Sequence, residues 1–363
     1  MIINIAYIIP SLDVGGSERK VIDIASGLNK DNFKPIIITI TKNGSLASNA
    51  IDAGIEVFCA NKKGKFDFKV IDRIAKILVE NNIDIVQVYT STGKLWGRLA
   101  AKKANVKVVI STEESLFRNK FIDRYFERKL VKNTDLIITN SEATLNSACN
   151  TTGIDYTMYK KIYNGIDLEP FLKAERKNII SKDKDEKIIM CVARLDPRKN
   201  IDMLITAFYS VSQDVKSKLV IIGSGSEEQK LKKQVTDYNL DEKVIFLGSR
   251  NDVPSLLKEA DLFVLSSTEE GFGNVIIEAI ASGVCVAASN VGGIPEIITN
   301  EDSGFIFDPK EPMDLIRVML LLLNDDKLRA KLANNAFKTI MYFSKTRMIK
   351  EHEDVYIDLL ESR

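Results

Sequence analysis

Short β-branched runs alternate with amphipathic stretches along the whole chain, the pattern of parallel strands joined by crossover helices. In the first half this predicts strands at Ile2–Ile9, Lys34–Thr41, Ile55–Phe58, Asp84–Val88, Lys107–Ser111, Asp135–Thr139 and Tyr159–Ile162. Helices are predicted over Gly16–Asn29, Phe68–Asn81, Gly93–Lys103, Asn119–Val131 and Glu142–Asn150. The run 173–187 (KAERKNIISKDKDEK) is dense in charge and reads as a solvated linker. A second series follows, with strands at Lys187–Val192, Lys218–Ile222, Lys243–Phe246, Leu262–Leu265 and Val284–Ala287. Helices at Met313–Asn324, Lys327–Tyr342 and Lys345–Leu360 close the chain. The expected architecture is α/β: a first doubly wound domain over 1–172, the linker, a second over 188–344, and a terminal helix over 345–363.

The apolar N-terminus lacks a basic flank and a small-residue cleavage site, so it reads as a buried strand rather than a signal peptide. The longest apolar run near the C-terminus, Val318 to Leu323, is six residues long, where a membrane span needs about 20. A cytoplasmic protein is expected. The 363 residues suit two domains at roughly 100–200 residues each. Lys+Arg 51 against Asp+Glu 50 leaves a charge of +1, so no chain-wide field favours nucleic acid or acidic lipid. The four cysteines, Cys59, Cys149, Cys191 and Cys285, form no CxxC pair, which argues against structural zinc, an iron–sulfur cluster and a disulfide framework. The one histidine, His352, lies in a charged C-terminal segment. Histidine-based hydrolysis and His-ligated metal catalysis are thereby nearly excluded.

Four loops carry candidate chemistry. Asp13-Val14-Gly15-Gly16-Ser17-Glu18-Arg19 follows the first strand, and its glycines would let the backbone approach an anion at a helix start. Such turns also carry glycines for geometry alone. The dinucleotide fingerprint is not met there, nor at Gly223-Ser224-Gly225-Ser226-Glu227-Glu228, which lacks the third glycine. With no Walker A loop either, a nicotinamide dehydrogenase and a P-loop ATPase are demoted. In Ala193-Arg194-Leu195-Asp196-Pro197-Arg198-Lys199-Asn200, basic residues beside a helix start would meet a diphosphate, although the loop alone also reads as a solvated basic turn. In Glu269-Glu270-Gly271-Phe272-Gly273-Asn274-Val275-Ile276-Ile277-Glu278, glycines expose helix-start amides while two carboxylates offer acceptors for hydroxyls. Apolar neighbours surround Glu278, a setting in which a carboxylate usually has a purpose.

Glu270 and Glu278 with seven residues between them, Asn290-Val291-Gly292-Gly293-Ile294-Pro295-Glu296, Gly15-Gly16, Asn164-Gly165-Ile166-Asp167, Arg194 with Lys199, and Gly223-Ser224-Gly225 together resemble glycosyltransferase family 4. Their order matches the family's from about residue 3 to residue 360. The resemblance implies a retaining, metal-independent enzyme of the GT-B fold, with two Rossmann-like domains facing across a cleft and a last helix returning to the first domain. It implies no cofactor, a nucleotide diphosphate sugar (UDP- or GDP-sugar) as donor, and a saccharide or lipid-linked acceptor. Arg194 and Lys199 would hold the diphosphate in place of a metal, while Gly15 and Gly16 would let their loop approach the phosphates or sugar. Glu270 would bind sugar hydroxyls and Glu278 ribose hydroxyls. The amides of Phe272, Gly273 and Asn274 would contact sugar and phosphate, and Val275, Gly223 and Gly225 would complete the donor set. Met348, Val355, Leu359 and Leu360 would dock the last helix. An epimerase of the same fold, or a non-catalytic sugar-nucleotide binder, are the alternatives.

The chain departs from the family where a histidine often follows the fifth strand, reading Ser111-Thr112-Glu113-Glu114-Ser115 instead. Glu113 and Glu114 are therefore candidates for the acceptor side. Cys285 stands where proline is frequent. Asp183-Lys184-Asp185 resembles a metal-binding D-x-D but lies in the expected linker. The stretch 98–132 holds ten basic residues against four acids, with Phe121, Ile122, Tyr125, Phe126 and Leu130 at helical spacing. That suits an ordinary crossover helix first, and peripheral contact with an anionic membrane second.

Overall fold

The computed structural model describes residues 2–116 and 121–363. The chain divides into two compact units, Met1–Gly165 with Lys345–Arg363, and Ile166–Ser344. In the first, strands β1 (Ile3–Ile9), β2 (Phe33–Thr39), β3 (Glu56–Cys59), β4 (Ile85–Val88), β5 (Val108–Glu113), β6 (Leu136–Thr139) and β7 (Tyr159–Lys161) form one sheet. Helices α1 (Gly16–Gly27), α2 (Ala47–Asp52), α3 (Val70–Glu80), α4 (Thr90–Lys103), α5 (Phe121–Leu130) and α6 (Glu142–Thr152) connect them in chain order.

The second unit runs α7 (Glu169–Lys173), β8 (Lys187–Val192), α8 (Ile201–Asp214), β9 (Ser217–Ile222), α9 (Glu228–Asp237), β10 (Val244–Gly248) and α10 (Val253–Leu257). It continues through β11 (Leu262–Leu265), α11 (Asn274–Ala281), β12 (Val286–Ser289), β13 (Phe305–Phe307), α12 (Pro312–Asn324) and α13 (Asp326–Lys338). A last helix, α14 (Lys345–Glu361), returns the chain to the first unit.

The sheet orders are β3-β2-β1-β4-β5-β6-β7 and β10-β9-β8-β11-β12-β13, every pairing parallel. Order reverses between β1 and β4 in one sheet and between β8 and β11 in the other. At such a switch point the loops leaving the two strands diverge, and doubly wound sheets bind ligands there. Strands covered on both faces must be apolar throughout, which is why Ile5 to Ile9 and Leu262 to Leu265 are all fully buried. Helix ends are set by local chemistry: Ser141 caps α6 by accepting from Thr144 N–H, Gly153 closes it in a left-handed turn, and Asp325 caps α13.

Several expectations shift. The first unit's leading segment ends at Gly165, and the run 173–187 is exposed over most of its length but pinned at one point. The Glu259 carboxylate accepts from the N–H groups of Ile179 (2.7 Å) and Ile180 (2.9 Å), while Ile180 and Glu186 are buried. The helix expected over 119–131 is described from Phe121; residues 119 and 120 lie outside the described residues. The helix expected over 327–342 ends at Lys338 and gives way to a 3-10 turn at Ile340–Phe343.

Helix α14 buries Met348, Ile349, His352, Val355 and Tyr356, whereas Leu359 and Leu360 are only partly covered. A Cβ at Gly27 would overlap Ile349, so glycine lets α1 approach α14. Beneath the helix, Tyr356 donates to Gln87 and shares a 3.0 Å hydrogen bond with Tyr7, and Gln87 donates to Tyr89 and Thr112. His352 is buried with them, its Nδ1–H donating to Met348 O at 2.9 Å. Burial pushes this imidazole down to about 4 from 6.5, against the smaller upward pull of that hydrogen bond. Because the folded value lies below the unfolded one, the contribution to stability is complete above pH 6.5 and is lost as pH falls toward 4. Between pH 7 and pH 5 the wild type is expected to lose about 2 kcal/mol more than His352→Gln in urea titrations. Equal losses would remove this assignment.

Candidate active site

The second unit's switch point brings together two loops that lie 71 residues apart in sequence. The strand β8 releases Ala193–Asn200, and the neighbouring β11 releases Ser266–Gly273. One backbone and one side-chain hydrogen bond join them: Thr268 N–H donates to Arg198 O at 2.7 Å and Ser266 Oγ to Lys199 O at 2.9 Å. Across this seam the Lys199 ammonium pairs with Glu270 Oε1, both side chains being largely buried. Ser267 Oγ donates to the same oxygen at 3.0 Å, and Ser289 Oγ holds Ser267 O at 2.6 Å. The expected lysine and carboxylate are therefore one charged pair fixed by backbone and hydroxyl contacts.

Asp196 organises the basic loop. Its carboxylate accepts from Arg198 N–H and takes the Arg198 guanidinium as a fork, at 3.2 and 2.9 Å. Partial burial raises this carboxyl, but the Arg198 hydrogen bonds and charge outweigh it and hold the group below the ordinary range. Arg198 is thus tied locally. Arg194 lies 3.6 Å from the same carboxylate, yet its side chain is 74% exposed, so it extends into solvent.

Glycines fit these loops closely. Gly223 has φ +137°, and a Cβ there would overlap Ala193 O; one at Gly225 would overlap Leu195 O. The β9 loop thereby braces the loop carrying Arg194. Gly292, at φ +52°, packs against Glu270 O, so the Gly292-Gly293 turn sets the height of the acidic loop. Gly273, at φ +102°, starts α11 at Asn274, with Val275 half-buried behind it. The Phe272 ring packs on Phe343 at 5.8 Å, and Glu278 is half-buried among Ile276, Ile277, Ala279 and Ile280. Sequence reading missed Asp196, Ser266, Ser267 and Ser289; an Asp before Pro-Arg-Lys, and serines directly after an apolar strand, are the signals that mark them.

The first unit places the remaining candidates at the carboxyl end of its own sheet. Gly15 precedes α1 in extended backbone, where a Cβ would overlap the end of the Glu18 side chain, and Gly16 has open space where a Cβ would stand. Glu113, at the end of β5, pairs with the buried Lys94, which also lies 3.5 Å from Glu127. Arg98 donates to Glu127 at 2.8 Å and is fully buried. Glu114 pairs with Lys20, whose ammonium also donates to Asn164. The two acids are thus each neutralised by a lysine rather than presented alone.

The basic stretch 98–132 is not one surface. Arg98 faces the interior, Lys103 pairs with Asp72, Lys107 pairs with Asp84, and Arg128 donates to Thr152 O. Arg118 and Lys120 lie outside the described residues. Asp183 of the D-x-D pattern is exposed and pairs with Lys216. Among the described residues no group of three or more His, Cys, Asp or Glu could hold a metal ion, and no helix is long and apolar enough to cross a membrane.

Residues 14–170 match the family Glycosyltransferase Family 4, and residues 173–339 match Glycosyl transferases group 1. An Escherichia coli UDP-Gal:alpha-D-GlcNAc-diphosphoundecaprenol alpha-1,3-galactosyltransferase is 28% identical over 345 residues, covering 89% of each chain. A Campylobacter jejuni N-acetylgalactosaminyltransferase acting on a diphospho-undecaprenol-linked saccharide is 30% identical over 234 residues, 64% of this chain and 63% of that one. The structure of Anabaena HepE in complex with UDP and glucose superposes with a TM-score of 0.86 at 23% identity, covering 98% of this chain and all of the other. Sucrose-phosphate synthase from Thermosynechococcus elongatus gives 0.84 at 18% identity, over 99% and 100%. At these identities the structural likeness shows the fold. Two matched families covering nearly the whole chain, in the order the motifs require, place this protein among the family 4, group 1 glycosyltransferases of the GT-B fold.

Proposed function

We propose that this glycosyltransferase moves a sugar, with retention and without a metal, from a nucleotide diphosphate sugar to a hydroxyl of a saccharide carried on a diphosphate-linked polyprenol. The observation that carries the donor half is the fixed Lys199–Glu270 pair at the second unit's switch point, one turn before the helix start at Asn274. Charge developing on a departing diphosphate is stabilised by cations and amides already in place. Lys199 supplies the held cation and Arg194 the solvent-reaching one; these are the groups that would stand in for a metal. The Lys199 and Ser267 contacts to Glu270 both fall on Oε1, and Oε2 would accept from a donor-sugar hydroxyl. The half-buried Glu278 would accept from the ribose hydroxyls, and the amides of Phe272, Gly273 and Asn274 would meet the sugar and phosphate.

The acceptor class is supported by the relatives from Escherichia coli and Campylobacter jejuni, whose acceptors are diphosphoundecaprenol-linked. In the first unit, the lysine-paired Glu113 and Glu114 are the groups assigned to that acceptor, while the Gly15-Gly16 loop would approach the donor's phosphates or sugar. The reaction would take place at the cytoplasmic face of the membrane.

A panel of UDP- and GDP-sugars with polyprenyl-diphosphate-linked saccharides, run in EDTA, tests the proposal. The expected result is one donor and acceptor pair giving a product whose anomeric proton coupling matches the donor's. An inverted product, a strict need for divalent metal, or epimerisation of the free nucleotide sugar without acceptor would contradict it.

A further inference from the structure

The loop between β3 and α3 reads Asn61-Lys62-Lys63-Gly64-Lys65-Phe66-Asp67-Phe68-Lys69, four lysines and two phenylalanines in nine positions. Its single acid is turned inward. Asp67 accepts from Arg73 and from Lys63 N–H at 2.7 Å, and Arg73 also donates to Ala60 O, so the loop is cinched at its centre. The residues on either side are thereby pushed outward: Phe66 is 75% exposed and Phe68 64%. Phe68 meets Trp96 edge-on at 5.8 Å, with the Lys62 ammonium 5.1 Å from the indole centroid, and the Lys65 ammonium lies 5.7 Å from the Phe66 ring. Lys63, Lys65 and Lys69 are exposed and pair with no carboxylate among the described residues.

We infer that this loop is a docking site for an anionic lipid bilayer, the phenylalanines entering the headgroup boundary and the lysines meeting lipid phosphates. Exposed aromatic rings are unfavourable in water but suit the interface between water and acyl chains, and lysines beside them gain from the negative surface potential. The charge is complementary because the one carboxylate that would oppose it is already spent on Arg73. The loop leaves β3 at the carboxyl side of the first sheet, the side that also carries Gly15, Gly16, Glu113 and Glu114. Resting on the acceptor proposed above, docking there would bring that side to the surface from which a polyprenol-linked saccharide emerges.

Co-sedimentation of the full chain with equimolar phosphatidylglycerol and phosphatidylcholine vesicles, against phosphatidylcholine alone, is the test. The wild type is expected to bind the anionic vesicles and not the neutral ones. Since each lysine contributes about a fivefold gain near an anionic surface, Lys63→Ser, Lys65→Ser and Lys69→Ser together should weaken partitioning about a hundredfold. Phe66→Ser with Phe68→Ser should weaken it about tenfold or more with the charge kept. The melting-temperature rise with nucleoside diphosphate, read on the same proteins without vesicles, should be unchanged; its absence in the wild type would count against the donor reading and leave the docking result standing. Equal partitioning of variants and wild type, or equal binding to neutral vesicles, would overturn the inference.

Discussion

Lys199→Ala is expected to lower kcat/KM for glycosyl transfer by about 100- to 1,000-fold, the range found when one preorganised charge-stabilising group is removed. The loss should fall mainly on kcat, because the leaving diphosphate gains charge only as the bond to the sugar breaks. The seam between the two loops uses Arg198 O, Lys199 O, Thr268 N–H and Ser266 Oγ, none of which the substitution removes. Glu270 also keeps its Ser267 partner. The fold should therefore persist, although Glu270 loses its cation, and a native circular dichroism spectrum at the assay temperature beside the kinetic loss separates chemistry from unfolding. Lys199→Arg keeps the charge and should recover part of the rate. Near-normal turnover by the alanine variant would remove Lys199 from the site.

The largest stability effect is expected at Glu127. This carboxylate neutralises Arg98, fully buried, and shares Lys94 with Glu113, so Glu127→Ala strands the Arg98 cation in the interior and leaves Lys94 with Glu113 alone. Breaking such a pair by deleting one partner costs about 3–5 kcal/mol. Burial by itself would lift the Glu127 carboxyl, but the two cations outweigh it and hold it below the ordinary range. Burial likewise pulls the Lys94 ammonium down, and Glu113 with Glu127 more than restores it. With the folded carboxyl depressed, the stabilisation is present at neutral pH and lost as pH falls through the carboxylate range. Urea titration with an unchanged slope measures the loss. Replacing partners together, as Arg98→Met with Glu127→Leu, removes the stranded charge and should cost much less on the Arg98 side. A loss under about 0.5 kcal/mol in Glu127→Ala would show that water reaches the network.

Long buried strands and the larger helices were legible because a parallel sheet covered on both faces demands continuous apolar runs, as in Ile188 to Cys191. The helices α2, α7 and α10 and the strand β13, six residues or fewer, are too short for periodicity to register. The acidic half of the site was legible from the turn chemistry around Gly271 and Gly273. Its contact with Lys199 was not, because that contact depends on β8 and β11 being neighbours, a fact of sheet order. Counting charge over 98–132 takes no account of the burial of Arg98. Arg98 follows Lys94 by one helical turn on the face of α4 where Gly93 and Gly97 press against Ile8 and Val88, so its charge points inward to Glu127. The Lys173–Lys187 run is exposed over most of its length, and what its charge pattern could not show is that Glu259 captures the amides of Ile179 and Ile180.

The central claim is that the second unit binds a nucleoside diphosphate through protein cations alone. Calorimetric titration of the full-length protein with UDP, GDP and ADP in EDTA tests it most directly. One of them is expected to bind the wild type without divalent metal, and Lys199→Ala is expected to weaken that binding by about tenfold or more. Binding that appears only when metal is restored, or an alanine variant that binds as tightly as the wild type, would contradict it.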